Sequence, residues 1–160
     1  MRFLVFSGLC SALILGAFSC WAQPQQGYPR YASLKRAEVN VRSGPGNQYP
    51  ILWIYQRAGY PVQLLAKFDN YYKIKDVEGE EGWVYLGLVS LARTSFVLGD
   101  KPSLLLRRKD TSSDIVAKLS PGVIVDLVDC DTKANMCKVE TQGLKGWMET
   151  SSLLWAASFK

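Results

Sequence analysis

Hydrophobic and polar residues alternate along much of the chain after residue 33. Residues 39–42 read Val-Asn-Val-Arg, so every second side chain is apolar, which is typical of a strand with one buried face. Further short apolar runs, bounded by Gly, Pro, Asn or Asp, occur at residues 62–66, 71–75 and 83–85. No convincing capped pattern with the helical period accompanies them. The pattern predicts an all-β fold built from short strands.

The same order of strands and turns occurs twice, with offsets of 63 to 65 residues. The matching stretches are 39–42 with 104–107, 62–65 with 125–128, 72–74 with 137–139, and 82–84 with 146–148. A repeat that keeps its element order predicts two small domains, at residues 34–91 and 97–155. Residues 92–96 are a short connection, so the domains are expected to lie side by side. Residues 23–33 are predicted to be a linker.

Residues 42–46, Arg-Ser-Gly-Pro-Gly, end the first strand of the first repeat. Glycine can adopt positive φ and proline restricts φ, so a tight loop is expected here. With Tyr-Lys-Ile at 72–74 and Gly-Trp-Val at 82–84, the loop resembles the bacterial SH3-like (SH3b) domain. This resemblance implies two tandem small SH3-like β-barrels that bind rather than catalyse. Residues 106–110 of the second repeat have charged residues in place of the Gly-Pro-Gly turn, so that repeat is expected to lack the loop.

Aromatic residues are concentrated in the first repeat, which has nine, whereas residues 96–155 have three. Similar domains are thought to bind peptidoglycan or peptides along an aromatic groove, so the resemblance implies a groove in the first repeat. We expect Tyr49 and Tyr71 at its rim and Arg42 as the nearest cation for a ligand carboxylate. Trp83 is a further candidate, although it fits the core of the barrel as well. Tyr71 and Tyr72 must point to opposite faces of one strand, so one of them is expected to be exposed or at a rim.

The N-terminus has the pattern of an export signal. Arg2 precedes the almost wholly apolar residues 3–18, and Cys20 and Ala22 are small residues at the −3 and −1 positions of a cleavage site. A signal peptide at residues 1–22 is therefore predicted. Lipid attachment at Cys20 is an alternative, and so is an uncleaved anchor, because an apolar run of about 19 residues can barely span a bilayer. Each alternative places the folded part outside the cytoplasm, in the periplasm or secreted.

Removal of the signal would leave Cys130 and Cys137 as the remaining cysteines. They flank a polar turn between two apolar strands, and disulfides persist in an oxidising compartment, so we predict that they form a disulfide. A zinc site would need further ligands, and a nucleophilic cysteine would need a neighbouring base. Both of these interpretations are weaker than the disulfide.

Composition restricts the possible functions. The chain of 160 residues has a net charge of +5, a mild excess that falls short of the basic stripe of a nucleic-acid-binding protein. It contains no histidine, the commonest general base and metal ligand. The two repeats leave no stretch for a catalytic domain. We therefore expect no enzymatic activity, no metal, no cofactor and no stable membrane insertion after signal cleavage.

Two functional hypotheses follow. The first is a binding module for the cell wall, meaning its peptidoglycan glycan or peptide, or for an envelope protein. The second is an accessory or regulatory subunit of a cell-wall hydrolase or another envelope enzyme. A comparison of binding to peptidoglycan with binding to envelope proteins would separate them.

Overall fold

The structure, a computed structural model, describes residues 27–158. The predicted signal peptide and residues 23–26 lie outside this range, so the predictions made for them are not addressed by it. The described residues form thirteen β-strands and three short 3₁₀ turns, with no α-helix among them. The strands form two antiparallel sheets, one after the other along the chain. The predicted all-β fold with two tandem units is confirmed.

The first unit is a seven-stranded sheet. Its strands are β1 (Arg30–Leu34), β2 (Glu38–Arg42), β3 (Ile51–Gln56), β4 (Pro61–Phe68), β5 (Tyr71–Lys75), β6 (Glu81–Tyr85) and β7 (Val89–Ser90). They lie in the order β3-β2-β6-β5-β4-β1-β7, and the 3₁₀ turn Leu86–Leu88 joins β6 to β7.

The second unit repeats this plan with six strands. They are β8 (Thr94–Phe96), β9 (Ser103–Leu106), β10 (Ile115–Leu119), β11 (Ile124–Asp131), β12 (Met136–Thr141) and β13 (Leu144–Glu149). Their order, β10-β9-β13-β12-β11-β8, matches the order of the first six strands of the first unit. The sequence repeat is therefore also a repeat of topology.

Each unit has its own hydrophobic core, built from alternating strand positions. Val41 on β2, Leu64 on β4 and Ile74 on β5 are fully buried in the first core. Leu105, Val139 and Met148 are fully buried in the second. Complete burial of one such side chain contributes about 1.5–3 kcal/mol, so these positions account for much of the stability of such small units.

Two strands begin in stretches that the sequence analysis assigned to linkers. β1 includes residues 30–33 and pairs with β4, and β8 lies within residues 92–96 and pairs with β11. The pattern did not indicate these strands because polar residues occupy several of their buried positions, namely Ser33 on β1 and Thr94 and Ser95 on β8. Each of the three hydroxyls donates to a backbone carbonyl far away in sequence, at 2.9, 2.7 and 2.9 Å respectively, which satisfies it in the buried setting.

The two units contact each other, as the short connection predicted. The guanidinium of Arg57 donates to the carbonyl of Gly122 at 2.8 Å and lies 5.5 Å from the centroid of the Phe96 ring. Tyr60 packs edge-on against the same ring, with centroids 5.3 Å apart. On another side of the junction, Tyr31 packs against Trp155 at 5.2 Å. Aromatic and cationic contacts of this kind restrict rotation of one unit against the other.

Candidate functional site

A cavity of about 420 Å³ opens on the first unit, beside the loop that follows β2. Strands β2, β5 and β6, the loop and the 3₁₀ turn all contribute to its wall. The lining residues are Asn40, Arg42, Asn47, Asn70, Tyr71, Tyr85 and Leu88. Among these described residues there is one cation and no carboxylate. The wall therefore combines a positive charge, three amide side chains and two aromatic rings.

The loop at the mouth of this cavity is held by Arg42. Its Nη1 donates to the backbone carbonyls of Asn47 and Tyr49, at 3.2 and 2.8 Å. The hydroxyl of Tyr71 donates to Oδ1 of Asn47 at 2.8 Å. The loop is thus fixed from two strands, through two of its backbone carbonyls and through the side chain of Asn47. Because the chain's own side chains hold the loop, little further ordering is needed for it to bind a ligand.

Close packing, rather than positive φ, explains the glycines of the loop. The expected tight loop is present, but neither Gly44 nor Gly46 is among the residues with positive φ. A Cβ at Gly44 would collide with the ring of Tyr49, and one at Gly46 would collide with the side chain of Gln48. The glycines therefore allow two side chains of the same loop to fold back over its backbone.

Two tyrosines pair across strands β5 and β6 and form the aromatic part of the wall. Tyr71 and Tyr85 are direct cross-strand neighbours, and their rings meet edge-on with centroids 5.9 Å apart. Tyr71 is 8% exposed, whereas Tyr85 is 49% exposed. Tyr71 therefore supports the site from below, and the ring of Tyr85 is accessible to a ligand.

The structure brings two of the four predicted site residues together. Arg42 and Tyr71 line the cavity, although Tyr71 is covered rather than at a rim. Tyr49 packs on the loop outside the lining. Trp83 pairs with Arg42 and Lys73 and is half-buried on the face opposite Val84, away from both the cavity lining and the buried core.

The prediction that adjacent tyrosines point to opposite faces is confirmed for Tyr71 and Tyr72. Tyr72 packs against the hydrophobic core and Tyr71 lies at the cavity. The expected exposure is wrong, because Tyr72 is half-buried and Tyr71 is buried.

Sequence reasoning missed most of the polar lining. Tyr85 could have been found, because it shares the alternation of Trp83 and so faces the same side of β6 as that residue. Asn47 and Asn70 gave no such signal. They read as turn residues, and only the fold brings the two turns together.

The second unit keeps the loop that the sequence analysis expected it to lack. Three backbone hydrogen bonds recur at an offset of 64 residues in both donor and acceptor. In the first unit the N–H groups of Ser43, Gly46 and Tyr49 donate to the carbonyls of Pro50, Gly44 and Gly46, respectively. In the second unit the N–H groups of Arg107, Asp110 and Ser113 donate to the carbonyls of Asp114, Arg108 and Asp110, respectively. Only the side chains differ. Arg108 can stand in place of Gly44 because Ser113, in place of Tyr49, places no ring over it.

A buried polar pair supports the first unit away from the cavity. The hydroxyl of Tyr55 donates to Oδ2 of Asp76 at 2.8 Å, and Oδ1 of Asp76 accepts the backbone N–H groups of Glu78 and Glu80, each at 2.9 Å. Burial raises the pKa of Tyr55, and the bond to Asp76 adds to this effect. The pair therefore fixes the β5–β6 turn. The carboxylates of Glu78, Glu80 and Glu81 are exposed around it.

The predicted disulfide between Cys130 and Cys137 is present. The two cysteines are direct partners in the β11–β12 ladder, so the bond joins facing strands next to the turn. Within residues 27–158, no group of three or more acidic or cysteine side chains is placed to hold a metal ion. The same part of the chain contains no helix long and apolar enough to cross a membrane.

Comparison with known proteins identifies the first unit. Residues 35–90 match the family model described as "Bacterial SH3 domain". The first unit is therefore a bacterial SH3 domain, as its loop and closing strand indicated. The match covers the cavity described above and ends before the second unit.

One curated relative also matches. Over 123 residues, or 71% of the chain, the sequence is 27% identical to a Bacillus subtilis (strain 168) protein named "Putative N-acetylmuramoyl-L-alanine amidase YrvJ". The match spans 23% of the length of that relative.

Among solved structures, NlpC2 from Trichomonas vaginalis is similar with a TM-score of 0.36 and 10% identity, over 81% of this chain and 49% of that one. An NlpC/P60 family protein from Bacillus cereus ATCC 10987 gives a TM-score of 0.35 and 12% identity, over 78% and 55%. The chain thus spans about half the length of these proteins.

Proposed function

We propose that this protein is a non-catalytic binding module that acts outside the cytoplasm and attaches to peptidoglycan through the cavity of its first unit. The observation that carries the proposal is the composition of that cavity. A bacterial SH3 domain presents Arg42, three asparagines and an exposed tyrosine ring around one opening, and no described lining residue is acidic.

Each part of the wall suits one feature of a cell-wall peptide. The positive charge of Arg42 favours a ligand carboxylate. The amides of Asn40, Asn47 and Asn70 can donate to and accept from peptide groups. The exposed ring of Tyr85 offers a flat contact surface for an extended chain. Because Arg42 and Tyr71 already hold the loop, binding requires little additional ordering.

The location outside the cytoplasm is supported by two independent features. The N-terminal segment has the pattern of an export signal, and the disulfide between Cys130 and Cys137 is of a kind that persists in oxidising compartments. A periplasmic or secreted protein meets the cell wall directly.

A second candidate function is that of an accessory subunit for a cell-wall hydrolase. The partial match to a protein named as an amidase favours it, since the matched region is 23% of that relative. In that case the hydrolytic activity resides in another chain, and this protein positions it on the wall.

The test is sedimentation of the protein with purified peptidoglycan, comparing Tyr85→Ala with the control Phe68→Ala. Both rings are exposed on the first unit, but only Tyr85 lines the cavity. Loss of a contact aromatic weakens binding by about 1–2 kcal/mol, so we expect a five- to thirtyfold loss for Tyr85→Ala and none for the control. Amidation of the wall carboxylates is expected to weaken binding of the unaltered protein too.

Equal binding by Tyr85→Ala and the unaltered protein would exclude this cavity as the wall site. Failure of the unaltered protein to sediment with peptidoglycan, together with sedimentation when a wall hydrolase is added, would favour the accessory function instead.

A further inference from the structure

The second unit has a cavity at the place that corresponds to the cavity of the first. Its volume is about 530 Å³, and it opens beside the loop that follows β9. Met136 and Glu149 are cross-strand partners there, as Tyr71 and Tyr85 are in the first unit. The fold therefore builds the same opening twice.

The backbone around the two cavities is also the same. The N–H of Thr150 donates to the carbonyl of Asn135 at 2.9 Å, and the N–H of Leu86 donates to the carbonyl of Asn70 at the same distance. A 3₁₀ turn thus closes one side of the opening in both units, against the β4–β5 turn in the first and against the β11–β12 turn in the second.

The wall of the second cavity carries a negative charge, whereas the wall of the first carries a positive charge. Leu106 pairs with Trp147 where Arg42 pairs with Trp83, so the cation is lost from β9. Glu149 takes the place of Tyr85. The described lining residues are Thr111, Ala134, Asn135, Met136, Glu149, Thr150, Ser151 and Ala157. An acid, three hydroxyls and one amide stand where the first wall has a base, three amides and two rings.

Lys109, the loop cation closest in sequence to the lining residue Thr111, does not offset this change. Lys109 forms an ion pair with Asp131 and lies 5.5 Å from the centroid of the Trp147 ring, so its charge is engaged outside the lining. Glu149 is exposed, and its carboxylate is 3.4 Å from the hydroxyl of Ser151 at the edge of the opening. A ligand can therefore reach a negative charge flanked by hydroxyl acceptors.

We propose that the cavity of the second unit binds a primary ammonium group carried on an aliphatic chain, such as a lysine-type side chain of a peptide. The carboxylate of Glu149 attracts the charge, the hydroxyls of Thr111 and Thr150 accept its N–H groups, and Met136 packs against the methylene chain. This site does not depend on the function proposed for the first unit. The two cavities would then select opposite charges.

The test is an NMR titration of the full chain with two matched probes, N-acetyl-lysine methylamide and its uncharged counterpart N-acetyl-norleucine methylamide. We expect the lysine probe to shift the amide signals of Asn135, Glu149 and Thr150, and the norleucine probe to bind more weakly. Exposed ion pairs contribute up to about 1 kcal/mol, so Glu149→Gln is expected to raise the Kd of the lysine probe about threefold. Added salt is expected to weaken the same binding.

Glu140→Gln is the matched control, since Glu140 lies on β12 outside the cavity lining and pairs with Lys145. It is expected to leave the Kd unchanged. Glu149→Tyr, which introduces the residue of the first unit at this exposed position, is a second way to remove the charge and is expected to match Glu149→Gln. Equal affinity for both probes, or unaltered binding of the lysine probe by both Glu149 variants, would overturn the proposal.

Discussion

The loops after β2 and β9 have the same backbone hydrogen bonds but are held by different side chains. In the first unit Arg42 reaches up from its strand to two loop carbonyls, and Tyr71 holds Asn47. In the second unit Lys109, from the loop itself, reaches across to Asp131. The shape of the loop therefore depends on its backbone hydrogen bonds. The charge at the mouth of each cavity depends on which side chain holds the loop.

The two units also differ in the kind of crosslink that holds one of their hairpins. The first buries the hydrogen bond between Tyr55 and Asp76. At the corresponding positions the second has Leu119 and Thr141, and its crosslink is instead the disulfide on β11 and β12. One unit is therefore stabilised by a polar pair and the other by a covalent bond.

The largest difference is expected on reduction of the disulfide. Closure of such a short ring contributes about 2–3 kcal/mol, so reduction should lower the melting temperature of the second unit and leave the first almost unchanged. Hydrogen exchange, read separately for amides of the two sheets, measures this. The Cys130→Ala/Cys137→Ala variant is the control and should not respond to reductant. Equal loss of protection in both units would mean that they unfold as one.

The buried pair of the first unit should give the next largest effect. Tyr55→Phe removes one hydrogen bond to a carboxylate, which is expected to cost about 1.5–2 kcal/mol. The pKa of Tyr55 is raised in the folded state, so its contribution is complete below the unfolded pKa of about 10 and is lost as pH rises above it.

Alkaline pH should therefore destabilise the first unit before the second, which contains no tyrosine. Urea unfolding followed by exchange of amides in each unit, at pH 7 and above pH 10, measures both effects. A Tyr55→Phe protein that loses stability at alkaline pH as steeply as the unaltered chain would show that another group is responsible.

Much of the fold could be predicted from the sequence because it depends on alternation. Val41, Leu64 and Ile74 are core residues whose apolar spacing is visible in the chain, and the disulfide followed from two cysteines flanking one turn. The strands β1 and β8 could not be predicted. Ser33, Thr94 and Ser95 are buried but polar, and the carbonyls that accept from them come from residues that only the fold brings near.

The candidate site was only partly visible for a related reason. Arg42 could be predicted because it lies next to a recognisable loop sequence, and Tyr71 because it follows a recognisable turn. Asn47 and Asn70 lie in that loop and that turn, which the fold brings together, and Tyr85 joins them because β5 pairs with β6 in one particular register. The expected loss of the second loop was wrong because its backbone hydrogen bonds form without glycine or proline.

An exchange of side chains between the two loops can test why glycine is found at position 44. Gly44→Ala should cost about 1–2 kcal/mol, because the new Cβ meets the ring of Tyr49. In a Tyr49→Ser background, which copies Ser113 of the second unit, the same change should cost much less. A double-mutant cycle by urea unfolding measures the coupling. Additive effects of the two changes would show that packing on Tyr49 is not the reason for glycine at this position.

The smallest expected effect is the response to acidic pH, which should differ between the two loops. The ion pair with Lys109 and the backbone N–H groups of Lys133 and Ala134 lower the pKa of Asp131 to about 2. Because the folded pKa is lowered, the contribution of Asp131 is present above the unfolded pKa of about 3.9 and is lost as pH falls towards 2. The bonds from Arg42 go to backbone carbonyls of the loop and involve no carboxylate. An NMR titration should therefore show the loop after β9 loosening in acid while the loop after β2 keeps its chemical shifts.

In Lys109→Met, the pKa of Asp131 should move back towards its ordinary value and the acid response of the loop should weaken. If the acid response stays the same in Lys109→Met, the turn N–H groups rather than the lysine hold this carboxylate, and the second loop is held by its backbone alone.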